Sequence, residues 1–387
     1  MLKNLEQFEG INIVINTTED CNLRCKYCYE TCKTPKTVKL EDCKKFLKSI
    51  IDNIDKFPAS DNKKYLKNAL VFEFIGGDAL INVDLLEELF RYVTALMGQT
   101  NKFPGGYRFN ISTNGTLFSN LKVRQFCEKW KKNLHVGVSI DGCPEIHDLN
   151  RVFPNGRGSM AEIRKNWEWF RKTFPVGSSG TKATCNRDSI PYLYESLKFM
   201  HEELGLTYIF QNFIMEDAGI TDEDLVVLEE QLMKCKDYML SHRDELYWGI
   251  IIEEELLNKD FVRSQSEVRC GSGWMPTLGI DGNVYPCFRW LPPSQNGKSI
   301  MTSGPVREDG TLDFSSFIEV QEHSNKYLCS PKECIECEYE HFCPYCIAGG
   351  YAETGDFKRV THICGVTKLI GKISKLYWEE YHEADRN

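Results

Sequence analysis

The chain has 387 residues, a formal net charge of −9 and 42% hydrophobic residues, an ordinary composition for a globular protein. The acidic balance argues against nucleic acid as a partner, because nucleic-acid-binding domains usually carry a basic face. No apolar run approaches the roughly 18 residues that a membrane span needs, and the N-terminus lacks a signal peptide's apolar core. We therefore expect a cytoplasmic protein, without membrane contact, whose 17 cysteines do not form a disulfide framework. Metal binding or catalysis is the better interpretation of the clustered cysteines, and the five scattered ones, Cys43, Cys127, Cys143, Cys185 and Cys235, are expected in the core.

Six β-branched segments alternate with helix-periodic segments along the first half of the chain. The predicted strands are 11–16, 70–77, 107–115, 135–142, 181–185 and 208–214, and the predicted helices are 40–54, 83–97, 120–132, 160–172 and 191–204. This alternation predicts a parallel sheet with right-handed crossovers. Six units are too few for a closed eight-stranded barrel. The predicted fold class is therefore α/β, with residues 1–215 forming a partial (β/α)6, TIM-like barrel.

The sequence pattern changes twice after this barrel. Residues 216–268 predict a helical bridge of one or two long helices. Residues 269–387 are rich in Cys, Gly and Pro, as in small domains that metal stabilises, and they end in a predicted helix at 366–384.

Glycine and polar residues follow three of the predicted strands. The segments are GGD at 76–78, STNG at 112–115 and SIDG at 139–142. Sites in parallel α/β folds form at the C-terminal ends of strands, so these segments should share one mouth. Cys21 follows the first strand, and its loop should open on the same mouth.

The loop CNLRCKYC places three cysteines, Cys21, Cys25 and Cys28, close together. A structural zinc ion takes four ligands, and Cys32 could supply the fourth, so a zinc site is one alternative. The spacing also suits a cuboidal iron–sulfur cluster, which normally takes one thiolate per iron. With three thiolates, one iron would be left open.

This loop resembles the signature loop of radical S-adenosylmethionine (radical SAM) enzymes, C-x-x-x-C-x-x-C with an aromatic residue before the last Cys, here Tyr27. The resemblance implies a 4Fe–4S cluster whose open iron is chelated by the amino and carboxylate groups of S-adenosylmethionine. An electron from the cluster would cleave the sulfonium. The resulting 5′-deoxyadenosyl radical would abstract a hydrogen atom from substrate.

Two strand ends carry further parts of the resemblance. GGDAL stands where the family has its GGE motif. By this resemblance, Gly76 and Gly77 would let the backbone approach the methionine moiety of S-adenosylmethionine closely, and Asp78 would accept a hydrogen bond from its ammonium group. The family usually has Glu at this place, and a simple turn with a helix N-cap is the alternative. STNG resembles the family's ribose-contacting turn, with Ser112 and Asn114 as candidates.

The segment from SIDG through residues 144–159 is close to a run found in one branch of the family. Arg151 in this run is a candidate partner for a carboxylate of the cofactor or the substrate. A solvated loop charge is the alternative interpretation.

The C-terminal cysteines resemble the SPASM domain, which adds two auxiliary 4Fe–4S clusters to radical SAM enzymes. The resemblance rests on GNVYPC (282–287), CIECEYEHFCPYC (334–346) and a distal cysteine. It implies one cluster held by Cys334, Cys337, Cys343 and Cys364, and a nearer one held by Cys270, Cys287 and Cys346. Cys329 is the candidate fourth ligand of the nearer cluster, and without it that cluster would have an open iron able to bind a substrate thiolate. A zinc ribbon is the alternative, but it would leave cysteines unused.

SPASM proteins mostly modify peptides or proteins. The prediction is a maturase that abstracts hydrogen from a ribosomal precursor peptide, containing Cys, to form a thioether or other crosslink. We expect an external electron donor such as flavodoxin or ferredoxin. The first strand begins near Ile11, so the core or a separate protein would bind the leader.

Two alternatives stay open. One is an anaerobic sulfatase-maturating enzyme, although those carry an Asp base where Phe288 follows Cys287 here. The other is a non-catalytic iron–sulfur electron carrier or metal-stabilised binding protein. No spacing singles out a catalytic residue.

Overall fold

The computed structural model of the chain describes residues 10–31, 33–58, 67–175, 180–259, 271–296, 301–324 and 329–386. Two cysteines of the sequence analysis, Cys32 and Cys270, lie outside the described residues.

A parallel sheet forms the framework of the molecule. Its six long strands are β1 Ile11–Thr18, β2 Ala69–Gly76, β3 Gly106–Thr113, β4 Leu134–Ser139, β5 Gly180–Cys185 and β6 Tyr208–Phe213. Each pairs in parallel with the next, which confirms the predicted α/β fold with an open, partial barrel. The sheet has a linear strand order and, over the described residues, does not close.

Helices connect these strands and cover one face of the sheet. They are α1 Leu40–Asn53, α2 Val83–Met97, α3 Leu121–Trp130, α4 Pro144–Asn150, α5 Met160–Thr173 and α6 Leu193–Lys198. Apolar side chains at helical spacing make the contact. Phe90 of α2, for example, is fully buried and stacks on Phe109 of β3 with ring centroids 3.8 Å apart. The apolar face that predicted these helices is thus the face that forms the core.

The predicted helical bridge is helical only in part. Helix α7 spans Asp222–Ser241, but Tyr247–Trp248 forms a short strand, β7, parallel to β6, before a short helix α8 at Glu254–Leu257. The prediction of helix at 247–248 is wrong because Trp248 is buried at the sheet edge, where its indole N–H donates to Gln211 over 2.8 Å. Division of the chain at residues 215 and 268 stays a prediction.

The C-terminal region packs against the opposite edge of the sheet. Strand β8, Thr277–Leu278, pairs in parallel with β1, and β9, Val284–Tyr285, pairs antiparallel with β8. The helices that follow in the described residues are α9 Ser315–His323, α10 Lys332–Ile335, α11 Ile347–Thr354 and α12 Cys364–Arg386. None of the helices in the described part of the chain has the apolar length to cross a bilayer.

Candidate active site

The cysteine loop after β1 faces a cavity of about 570 Å³ at the C-terminal ends of the strands. Cys21, Cys25 and Cys28 all line this cavity, as the strand-end argument predicts. Each sulfur has a nitrogen donor close by. Asn114 Nδ2 lies 3.8 Å from Cys21 Sγ, Arg151 Nη1 lies 3.9 Å from Cys25 Sγ, and Lys33 Nζ lies 3.2 Å from Cys28 Sγ. Such donors stabilise the thiolates that bind iron.

The chemistry of these thiols fits an iron–sulfur cluster. Burial, with a smaller contribution from Asp78, raises the pKa of Cys21 to about 12, so a thiolate there needs a cation such as iron. Within the described residues, no three His, Cys, Asp or Glu side chains are grouped so that they could hold one metal ion. A zinc ion requires ligands around a single point, whereas a cuboidal cluster offers each thiolate its own iron. The three thiols are compatible with the cluster that the resemblance implies.

The glycines after β2 lie directly against the cysteine loop. Gly77 N–H donates to the carbonyl of Thr18 over 2.8 Å, and Asp78 N–H donates to the carbonyl of Asp20 over 2.9 Å. Gly76 has a φ of +139°, and a Cβ on Gly77 would lie 2.0 Å from the Asp20 carbonyl oxygen. Both glycines also line the cavity. Close approach to the methionine moiety stays a prediction, but close approach to the loop is observed.

We expect Gly77→Ala to displace the cysteine loop, because the clash is with backbone atoms that cannot rotate away. The substitution should lower the free energy of unfolding by about 1–3 kcal/mol and reduce iron retention. Chemical denaturation and iron analysis measure both effects. Gly98→Ala at the end of α2 is the matched control, since its Cβ would meet no atom closer than 3.4 Å. Equal free energies of unfolding and equal iron retention in Gly77→Ala and Gly98→Ala would contradict this interpretation.

Asp78 follows β2, and its carboxylate accepts hydrogen bonds from the end of β3. Its carboxylate is 1% exposed and accepts hydrogen bonds from Leu80 N–H at 3.1 Å, Thr113 Oγ1 at 2.8 Å and Asn114 N–H at 2.8 Å. Burial raises its pKa to about 6, and the hydrogen bonds oppose that rise. The turn-and-cap alternative is therefore confirmed for Asp78. Its contact with the ammonium of S-adenosylmethionine stays a prediction.

The two STNG candidates both line the cavity but have different partners. Ser112 Oγ accepts from Lys182 Nζ over 3.0 Å. Asn114 Nδ2 donates to Asn22 Oδ1 over 2.8 Å, which fastens the β3 end to the cysteine loop. Their contacts with a ribose stay predictions.

A buried charge pair supports the cysteine loop from β4. Asp141 is fully buried and accepts from Arg151 Nε at 3.0 Å, Thr184 N–H at 3.1 Å and the Tyr27 hydroxyl. The Arg151 guanidinium lies over the Tyr27 ring, 5.4 Å from its centroid. Arg151 is only 8% exposed, so the solvated loop charge is wrong. Sequence reasoning missed Asp141, although it lies within the SIDG segment.

Sequence reasoning also missed three charged residues of the cavity: Glu73 on β2, Lys182 on β5 and Arg289 after β9. The first two interrupt strands of otherwise apolar or small residues, and that interruption was the available signal. Arg289 forms an ion pair with Glu216, and its guanidinium lies 4.7 Å from the centroid of the Tyr29 ring.

The nearer set of C-terminal cysteines adjoins the same cavity. Cys346 lines it, together with Phe288 and Arg289. Cys287 and Cys329 are buried in one apolar cluster, against which Cys346 packs. These contacts are compatible with Cys329 as a ligand beside Cys287 and Cys346, and that role stays a prediction.

The distal set lies farther along the C-terminal region. Cys334 interacts electrostatically with Cys337 and Cys364, and Cys343 interacts with Cys364, so the four thiols are neighbours. Burial raises the pKa of Cys334 and of Cys343, and the guanidinium of Arg359 opposes the rise. Such a cation among thiols favours the thiolate form that iron binds. The arrangement is compatible with the distal cluster that the sequence predicts.

The family comparison agrees with this geometry. Residues 15–184 match the model of the Radical SAM superfamily. This part of the chain is therefore a radical SAM domain. The radical SAM fold binds S-adenosylmethionine and a 4Fe–4S cluster.

Relatives with names are distant. The AdoMet-dependent heme synthase of Oleidesulfovibrio alaskensis is 25% identical over 91% of this chain and 86% of its own length. The cysteine-type anaerobic sulfatase-maturating enzyme of Clostridium perfringens (strain 13) is 25% identical over 69% of this chain and 71% of its own. A match to an uncharacterized protein of Methanocaldococcus jannaschii, 27% identical over 49% of this chain, covers only 58% of that protein.

Two solved structures share the fold. One is anSMEcpe with bound AdoMet and the Kp18Cys peptide, with a TM-score of 0.71 and 18% identity over 96% of this chain and 99% of the other. The second is Streptococcus suis SuiB bound to precursor peptide SuiA, with a TM-score of 0.61 and 15% identity over 93% of this chain and 77% of the other. At these identities the likeness establishes the fold.

Proposed function

We propose that this enzyme is a peptide maturase that removes hydrogen from a Cys-containing precursor peptide and forms a thioether or other crosslink. The observation that carries the proposal is the shape of the site. The cavity at the cysteine loop adjoins a second space of about 530 Å³, and the two share Tyr27, Tyr29, Glu216 and Arg289 in their walls. Two pocket-sized spaces in series suit an extended peptide better than one small molecule.

The protein's own residues have separate tasks in this proposal. Cys21, Cys25 and Cys28 would hold the cluster, and the Asp141–Arg151 pair keeps their loop in place. S-adenosylmethionine bound there supplies the radical that abstracts hydrogen. The aromatic side chains of Tyr29 and Phe288, with ring centroids 5.8 Å apart, narrow the space that a substrate residue would enter.

The C-terminal cysteines would hold two auxiliary 4Fe–4S clusters. Cys346 in the cavity wall would hold the nearer one beside the cavity, and a cluster there would supply an electron acceptor. The external electron donor, flavodoxin or ferredoxin, and a separate leader-binding protein are further parts of the proposal. Two structures of the same fold hold peptides, Kp18Cys and SuiA, which supports a peptide substrate here.

Formation of formylglycine in a sulfatase is the second candidate. The likeness to sulfatase-maturating enzymes in sequence and fold favours it. Phe288 disfavours it, because an apolar ring stands where those enzymes carry their Asp base. The match of residues 15–184 to the Radical SAM superfamily disfavours the non-catalytic alternative.

Anaerobic incubation with S-adenosylmethionine and dithionite tests the proposal. The substrates are a Cys-containing peptide encoded beside this protein and a peptide with a sulfatase's target cysteine. We expect 5′-deoxyadenosine together with a product of the first peptide lighter by two hydrogens. Conversion of the target cysteine to an aldehyde in the second peptide alone, with sulfur replaced by oxygen and two hydrogens lost, would establish the sulfatase alternative. Absence of 5′-deoxyadenosine from fully loaded enzyme would contradict both.

A further inference from the structure

A charged pair lies on the cavity floor, apart from the groups that hold the cysteine loop. Glu73 of β2 and Lys182 of β5 point into the cavity, with Lys182 Nζ 3.5 Å from Glu73 Oε1 and 3.0 Å from Ser112 Oγ. Glu73 lies between Phe72 and Phe74, which are fully buried on the other face. A carboxylate in the inward position of such a strand is costly unless it is paired. Its position in the reaction cavity therefore suggests a chemical task.

Cationic side chains face Glu73 from two other strands. Lys182 approaches from β5, and Arg108 interacts with it electrostatically from β3. Tyr29 faces it from the cysteine loop. His135 on β4 interacts with both cations rather than with Glu73, and burial, followed by those cations, lowers its pKa to about 4, so it is neutral at pH 7. Two cations therefore face one carboxylate.

The other carboxylates of the cavity have different roles. Glu216 is paired with Arg289 at the rim. Glu30 is 2% exposed and lies 3.7 Å from Lys33, which donates to Cys28, so it belongs to the cysteine loop. Glu73, with a side chain 13% exposed, is thus the carboxylate of the cavity floor that a substrate can approach.

We propose that Glu73 is the base that accepts the thiol proton of the substrate cysteine, with Lys182 and Ser112 positioning its carboxylate. This inference rests on the proposed function. Once a hydrogen atom has left the substrate carbon, the carbon–sulfur bond forms as the S–H bond breaks. The proton passes to Glu73, and one electron leaves to an iron–sulfur acceptor. Phe288, in the wall of the same cavity, offers no carboxylate for this task.

Glu73→Gln tests this role, because it keeps the shape of the side chain and removes the base. The measured quantity is the ratio of crosslinked peptide to 5′-deoxyadenosine, as a function of pH. A general base contributes about 10²-fold or more, so the ratio should fall by that factor. The ratio in the wild type should fall at low pH, and Glu73→Gln should lose that dependence. Lys182→Gln should alter it, because the cation that positions the Glu73 carboxylate is gone.

Glu88→Gln on the exposed face of α2 is the matched control and should behave like the wild type. Glu73→Asp retracts the carboxylate, so it should lower the ratio but keep the pH dependence. If Glu73→Gln does not fold, this variant tests whether Glu73 is the base. A wild-type ratio and pH profile in the folded Glu73 variants would overturn the inference. Failure of the proposed function looks different, since the wild type itself would then leave the peptide unchanged.

Discussion

Replacing Cys28 by Ala should abolish cleavage of S-adenosylmethionine. The three thiols at the cavity would each bind one iron, and loss of one removes a ligand that no other described side chain in the loop replaces. We expect iron in the N-terminal cluster to fall to background and 5′-deoxyadenosine to disappear. Iron analysis and chromatography of the reaction products measure the two effects.

Two further cysteine variants serve as controls for Cys28→Ala. Cys127 is fully buried in the core of the sheet–helix interface, away from the cavity, so Cys127→Ala should retain the cluster. Cys32→Ala should also leave cofactor cleavage intact if the loop provides three ligands rather than four. Continued formation of 5′-deoxyadenosine by Cys28→Ala, or its loss in Cys32→Ala, would contradict the assignment of the three ligands.

Asp141→Ala should destabilise the protein strongly. The substitution leaves the buried Arg151 guanidinium without its carboxylate and removes the acceptor of the Tyr27 hydroxyl. Breaking a buried ion pair from one side costs about 3–5 kcal/mol. Because Arg151 and Tyr27 both contact the cysteine loop, iron retention should fall as well. Denaturant unfolding of the anaerobic protein measures the first effect and iron analysis the second.

The matched control for Asp141→Ala is Asp52→Ala. Asp52 pairs with Lys48 over 2.7 Å on the surface of α1, with its side chain 54% exposed. A surface pair of this kind contributes about 0–1 kcal/mol, so little change is expected. If Asp141→Ala cost no more than Asp52→Ala, the buried pair would not support the loop as described.

The sequence predicted features that depend on local pattern. Alternation of apolar segments located all six long strands, and cysteine spacing located the loop that faces the cavity. Turn chemistry suggested the cap that Asp78 forms. These features depend on residues a few positions apart, which is where periodicity and motif carry information.

The sequence did not predict which side chains contact each other over long separations along the chain. Asp78 meets the β3 end 35 and 36 positions away, and Glu73 meets Lys182 across 109 positions. Which charged side chains face each other across an open barrel depends on strand register, and one sequence does not reveal it. The strand at 247–248 was missed for a related reason, since the neighbouring strand β6 stabilises it.

The most direct test of the account is electron paramagnetic resonance of the reduced, fully loaded enzyme with and without S-adenosylmethionine. Three cysteine ligands leave an open iron, so addition of the cofactor should change the spectrum of the N-terminal cluster. The Cys28→Ala variant, measured in parallel, should show no such change. An N-terminal cluster whose spectrum is the same with and without S-adenosylmethionine would contradict the open iron and the enzyme mechanism built on it.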